Sequence, residues 1–234
     1  MKRTFLKIAV LIFFLLGLIV MVVHNVSKMV TVIDKVVISN LTDSLNIDRE
    51  LLRQDYNYQI KTIEKIQEQV LNIIEPSSTG IPLGEEREPE NVIKIGEGQC
   101  FDRSRLLEKI FIFYGFKTRH LSIYFDSVKI SALKRLLGSN VSSHATTEVK
   151  TIKGWLIVDS NSNWISYDRI FQPMSFANLD NQLLKNQPDE TLNSFYLKNS
   201  TAVYGLYSRH GQFYPPFNKI PDYNIRELFY NFGF

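Results

Sequence analysis

The chain has 234 residues, of which 44% are hydrophobic, 22% charged and 12% aromatic; these are values of a folded globular chain and exclude wholesale disorder, a collagen repeat and a disulfide scaffold. A single cysteine excludes an internal disulfide and any multi-cysteine zinc or iron–sulfur site. The net charge of +3 is supplied by Lys2, Arg3 and Lys7, so the rest of the chain sums to zero and offers no basic face for nucleic acid.

In chain order, the first predicted element is a membrane segment. Residues 8–23 are 16 positions without a charge, and counting Phe5 and Leu6 across Lys7 gives 19. That is near the roughly 20 residues that span a bilayer. The basic flank and the lack of a small-residue cleavage site predict an uncleaved signal anchor over residues 1–25, a single pass with a cytoplasmic amino terminus and a periplasmic or extracellular body. Residues 26–55 read as a stalk or helical linker, and residues 56–234 as the folded domain. Ile60, Ile63, Ile66, Val70, Ile73 and Ile74 recur at three- and four-residue steps, which predicts an amphipathic helix that stops at Glu75-Pro76. Residues 76–91 read as a charged loop. A second helix, apolar over much of its circumference, opens at Gly98-Gln99-Cys100 and ends at Gly115. Strands are predicted over residues 118–125, 144–150, 155–159 and 164–167, with the middle pair closed as a hairpin at Lys153-Gly154. Residues 126–143 read as a short helix and a Ser/Asn-rich turn, residues 172–200 as loop with a short helix. The tail from Val203 is rich in Tyr, Phe and Pro. Helices first and an antiparallel sheet after them predict an α+β domain.

Cys100 falls at a predicted helix N-terminus after a Gly-x-Gly-x turn. There the helix dipole and free N–H groups favour a thiolate, and the same N–H groups can stabilise an oxyanion. A buried apolar cysteine is the bland alternative. A nucleophilic cysteine needs a base, and the base an orienting group. Of the four histidines, His24 lies at the predicted membrane boundary, His120 in a strand, and His210 in the aromatic tail. His144 opens one strand of the predicted hairpin and Asp159 closes the other, so both fall at the end away from the turn. An ordinary hairpin with a surface aspartate has the same spacing, and both readings stand on spacing alone.

Four segments, Gly-Gln-Cys100, Gly115-Phe-Lys-Thr-Arg119, Ser-His144-Ala-Thr-Thr-Glu-Val and Gly154-Trp-Leu-Ile-Val-Asp159, together resemble the transglutaminase-like superfamily over roughly residues 57–170. Thr146 stands where that family usually has tryptophan. The resemblance implies a papain-like α+β core, helices packed on an antiparallel sheet, here preceded by one transmembrane helix. It implies Cys100 as nucleophile, His144 as base and then acid, and Asp159 as the group that holds the imidazole. The chemistry implied is thioester formation on an amide, as protease, amidase, deamidase or transglutaminase. A catalytically inactive envelope binding or assembly module is the alternative.

Other candidates are Gln99, Glu148 and Trp155 as substrate-binding residues. Gln99 adjoins the nucleophile, although the oxyanion glutamine of a papain-like site lies several residues earlier. Glu148 shares a face with His144 by period two, and Trp155 is core or cleft wall. Asp102, Arg103 and Arg105 read as a solvated helix face, Arg119 as half of a structural ion pair, and Asp168 as an orienting group only in a shifted register. Sequons begin at Asn25, Asn40, Asn140 and Asn199. The expected partners are a protein or peptide amide substrate, an envelope component among them, and the membrane; no metal, no cofactor and no nucleic acid is expected.

Overall fold

The structure is a computed structural model that describes residues 2–82, 85–125, 142–168, 170–179, 194–197, 200–207 and 222–233. Helix α1 (Lys2–Val23) takes in all three basic residues of the amino terminus. Its charge-free stretch, residues 8–23, therefore rises only about 24 Å, short of the roughly 30 Å of a hydrocarbon layer. Among the described residues no helix is long and apolar enough to cross a membrane. This corrects the expected transmembrane anchor, and a single-pass membrane placement is not supported. Directly after α1 the chain is tied to its own carboxyl-terminal region. His24 Nδ1 lies 2.9 Å from Asp222 Oδ1, and the Val26 N–H donates to the Tyr223 carbonyl at 2.7 Å.

Residues 26–55 are built into the body instead of standing as a stalk. Thr31 and Asp34 form a capping box that starts α2 (Val32–Thr42), and Ile38 on that helix is fully buried. After α3 (Leu51–Gln54), Asp55 caps α4 (Tyr56–Ile73) by accepting the Tyr58 N–H at 3.1 Å. The stripe Ile60, Ile63, Ile66 and Val70 is buried against α6 (Cys100–Phe113), whose Leu106, Leu107, Ile110 and Phe111 join the same cluster. Between them, β1 (Glu75–Pro76) pairs in parallel with β2 (Glu97–Gly98), and α5 (Pro89–Ile95) fills the loop. This short pairing delivers the chain to the start of α6.

The central sheet has four antiparallel strands in the order β5-β4-β3-β6, formed by β3 (Lys117–Phe125), β4 (Ser143–Thr151), β5 (Gly154–Val158) and β6 (Ser200–Tyr204). Val149, Leu156 and Val158 face the helices, whereas Leu121, Ile123 and Ile157 meet a second cluster with Trp164, Met174 and Tyr196. The fold is α+β, with both faces of the sheet covered. Residues 164–167 form no strand: only the single bridges Val158↔Ile165 and Tyr167↔Pro173 occur, because the Ser166 hydroxyl takes the Ile157 N–H and donates to the Met174 carbonyl. The one-turn helix α7 (Ser194–Leu197) falls in the stretch that reads as loop with a short helix, whereas strand β6 arises where no strand is predicted. The predicted helix and turn of residues 126–143 lie, apart from 142 and 143, outside the described residues, as do His210, Asn140 and Asn199.

Beyond β6, Gly205 turns the chain into β7 (Leu206–Tyr207), which pairs with β8 (Asp222–Tyr223) ahead of α8 (Ile225–Leu228). Gly205 has φ +73°, and a Cβ there would lie 2.8 Å from Asn224 O, Glu227 Cβ and Leu228 N. Gly205→Ala combines left-handed backbone strain with a clash against backbone, and is expected to cost about 2–4 kcal/mol, read as a lowered urea midpoint.

Candidate active site

Cys100 is the first residue of α6 and is half-buried. A Cβ on Gly98 would sit 2.7 Å from Asp102 Cβ, so the strand-to-helix turn closes this tightly only with glycine there. The Asp102 carboxylate caps the helix by accepting the Gln99 N–H at 2.7 Å, and its other oxygen is ion-paired with Arg87. Asp102, Arg103 and Arg105 are all buried, not solvated. Each has a polar partner inside the protein: Arg105 Nη1 reaches Glu108 at 2.7 Å, and Arg103 Nη2 is bonded to Asn161 Oδ1.

The sheet brings His144 and Asp159 together. The Thr147↔Val158 pairing of β4 and β5 sets both residues at the open end of the hairpin. His144 Nε2 lies 3.0 Å from Asp159 Oδ2. Cys100 lies near enough to the same imidazole for its charge to favour the protonated ring, and Asp159 leaves the ring's Nδ1 free. Asp159 is fixed on every side. Its Oδ1 accepts the Asn161 and Ser162 N–H groups at 2.5 and 2.8 Å, and its Oδ2 also accepts the Tyr196 hydroxyl at 2.7 Å. Gln67, on α4, clamps this turn from behind: its Nε2 donates to the carbonyls of Asp159, Ser162 and Trp164 at 2.8, 2.9 and 2.9 Å. Phe195 stacks on the His144 ring with centroids 5.6 Å apart.

Burial opposes charge on His144, but the Asp159 carboxylate outweighs it, and the His144 pKa is pushed up to about 10. Burial likewise raises Asp159, yet the imidazolium and the hydrogen bonds hold it below its ordinary value. At neutral pH the pair is therefore an ion pair, the form that stabilises an adjacent thiolate. The stabilisation from His144 is complete below its unfolded value of about 6.5 and is lost as pH rises through about 10. The stabilisation from Asp159 is lost at the acid end, as pH falls from its ordinary value through the lowered one. The urea midpoint is expected to fall between pH 7 and pH 10, and His144→Gln is expected to remove most of that fall.

The remaining sequence candidates lie elsewhere. The Gln99 side chain turns away from Cys100 and donates to the Ser78 carbonyl at 2.6 Å. Glu148 is fully buried and engaged by Arg119, the Phe176 N–H at 2.7 Å and the Tyr204 hydroxyl at 3.4 Å. Trp155 sits four residues before Asp159, about 13 Å along the strand, under the Arg119 guanidinium at 4.3 Å. Asp168 closes a turn through the Ile170 and Gln172 N–H groups at 2.9 and 2.8 Å. Tyr196, Phe195 and Gln67 were not foreseen. Gln67 had a signal, as a polar residue inside the apolar stripe between Ile63 and Val70; the two aromatics, in a stretch without periodicity, had none. Among the described residues no group of three or more His, Cys, Asp or Glu could hold a metal ion.

No protein-family model matches this chain, and no curated protein matches it in sequence. The site is thus read from its own geometry: a thiol at a helix start, an imidazole beside it, and a buried carboxylate on the far ring nitrogen. Such a relay can deprotonate the thiol, hold the resulting charge and return a proton to a leaving group.

Proposed function

We propose that the protein carries out cysteine-dependent acyl chemistry on an amide. The juxtaposition of Cys100 at the start of α6 with the hydrogen-bonded His144–Asp159 pair carries this reading. The Cys100 sulfur attacks the amide carbonyl carbon, with its proton held on His144. The C–N bond then breaks, and the imidazolium gives that proton to the departing amine, leaving a thioester. Water, activated by the neutral imidazole, attacks the thioester and releases the acid and the thiol. An amine in place of water gives transfer instead of hydrolysis. Asp159 keeps the imidazole oriented and stabilises its cation throughout. The resemblance of the four motif segments to the transglutaminase-like superfamily supports the same chemistry, and membership in that superfamily is part of the proposal.

A second reading, a binding module without catalysis, is favoured by one observation: His144 and Asp159 are almost completely buried, with Phe195 and Tyr196 packed against them. Iodoacetamide alkylation of Cys100 followed against pH, beside His144→Ala, separates the two. The enzyme reading expects fast alkylation near pH 6, where a free cysteine is almost inert, and a drop of about 10-fold or more in the variant. Slow alkylation indifferent to His144 overturns it in favour of the binding module.

A further inference from the structure

Behind the start of α6, on the side of β7, lies a small cavity of about 60 Å³ lined by Arg87, Phe101, Arg105, His120 and Tyr207 among others. Arg87 is 4% exposed and His120 1%. The Arg87 guanidinium spends Nη1 on Asp102, and its Nε and Nη2, the edge that presents two parallel N–H groups, meet no acceptor in the protein. His120 Nε2 likewise has no partner. Its tautomer follows from the neighbours. The Thr147 hydroxyl donates to the Ser104 carbonyl at 2.9 Å, so in the 2.9 Å contact between the two hydroxyls Ser104 is the donor. Ser104 Oγ is then left to accept from His120 Nδ1, 3.3 Å away, and Nε2 carries a bare lone pair. Burial pushes the His120 pKa down to about 4, so that lone pair persists at neutral pH. Of the acids on the wall, Glu88 is held by Arg105 and Lys109 at 2.9 and 3.2 Å, and Glu86 is exposed.

The residues that line the cavity thus hold a buried two-donor fork and one buried acceptor, none of them paired within the protein. A water needs about 10–15 Å³ of such volume, so the space takes about four oxygen-sized groups. We propose that this cavity binds a tetrahedral oxyanion bearing a hydroxyl, inorganic phosphate or a small phosphate monoester, with two oxygens on the Arg87 Nε and Nη2 edge and the hydroxyl donating to His120 Nε2. A guanidinium fork matches two oxygens of one phosphate side by side. Burial depresses the Arg87 pKa despite its pairing with Asp102, and a bound anion offsets that cost. None of Cys100, His144 and Asp159 lines the cavity, although the Arg87 guanidinium lies near enough to Cys100 to feel its charge.

Thermal unfolding of the full chain with inorganic phosphate, methyl phosphate or sulfate tests the proposal. Phosphate is expected to raise the melting temperature in a saturable way. Sulfate, which lacks the hydroxyl at neutral pH, is expected to bind about tenfold more weakly or worse, since it leaves the His120 lone pair unmet. Arg87→Lys keeps the charge opposite Asp102 but loses the fork, and is expected to abolish the phosphate shift. Arg87→Gln combined with Asp102→Asn, which leaves no unpaired charge, is expected to do the same if the single variant does not fold. Equal shifts with methyl phosphate at pH 5.5, where most of it keeps the hydroxyl that its dianion lacks, assign a monoester; a shift with phosphate alone assigns the free ion. No saturable shift, or equal shifts with sulfate that persist in both variants, overturns it.

Discussion

Asp159→Asn is expected to lower the rate at which Cys100 is acylated by p-nitrophenyl acetate by about 10²–10⁴-fold, with the fold retained. The amide oxygen of asparagine can still accept the Asn161 and Ser162 N–H groups that Oδ1 holds now. The group facing His144 Nε2 then becomes an NH₂ donor where a carboxylate oxygen accepted at 3.0 Å. The ring responds by presenting a lone pair at Nε2 and a proton at Nδ1. A protonated neutral Nδ1 cannot take the thiol proton of Cys100, so the nucleophile loses its base while every heavy atom stays in place. Release of p-nitrophenolate reads the rate, and a near-UV spectrum matching the parent protein checks the fold. A loss under about threefold would show that His144 does not depend on the carboxylate.

Glu108→Gln is expected to destabilise the protein by about 3–5 kcal/mol, the cost of leaving buried cations without their counter-charge. Glu108 is fully buried on α6, with Lys28 Nζ at 3.0 Å, Arg105 Nη1 at 2.7 Å and the Tyr207 hydroxyl at 2.8 Å. Burial works to raise its pKa, and Lys28 and Arg105 more than reverse this, holding the carboxyl well below the usual carboxylate range. The neighbouring Glu227 goes the other way: burial and the Glu108 charge raise it. One of the two acids therefore carries the burden of neutralising the cluster, and it is Glu108. Urea unfolding gives the magnitude. Glu227→Gln, measured alongside at pH 8, is expected to cost less, because it removes a carboxylate whose ionisation the site already resists.

How much of this was readable in the sequence depends on the range of the contact. The meeting of His144 and Asp159 needs only a two-strand hairpin, and period-two alternation over adjacent residues specifies that much. Strand β6 and Tyr196 are brought to the site by stretches with no periodic pattern, so nothing local announces them. The α6 charges mislead for a different reason. Asp102, Arg103 and Arg105 read as a solvated face, and Arg105, Glu108 and Lys109 continue it at the three- and four-residue steps such a face shows. They are buried because the segment before α2, residues from α5, and the β7–α8 region all close over them: Arg105 reaches the Ser27 carbonyl at 2.6 Å, and Lys109 reaches Asp34 at 2.9 Å. The amino-terminal hydropathy misleads in the opposite sense, since a run of apolar residues gives no measure of where the helix places its charges.

The clasp between the two ends of the body dictates which pieces of this chain can be made on their own. His24 and Val26 hold Asp222 and Tyr223, Asn224 donates to the Val26 carbonyl at 2.9 Å, and Lys28 reaches Glu108 and Glu227. A truncation that starts late in α2 or beyond it, at residue 40 or later, would look harmless from a helix-and-loop map. It would strip Lys28 from Glu108 and Asp34 from Lys109, and leave β8 with an unpaired edge. The shortest expression fragment that keeps α6 and its hairpin in register begins ahead of His24 and runs past α8.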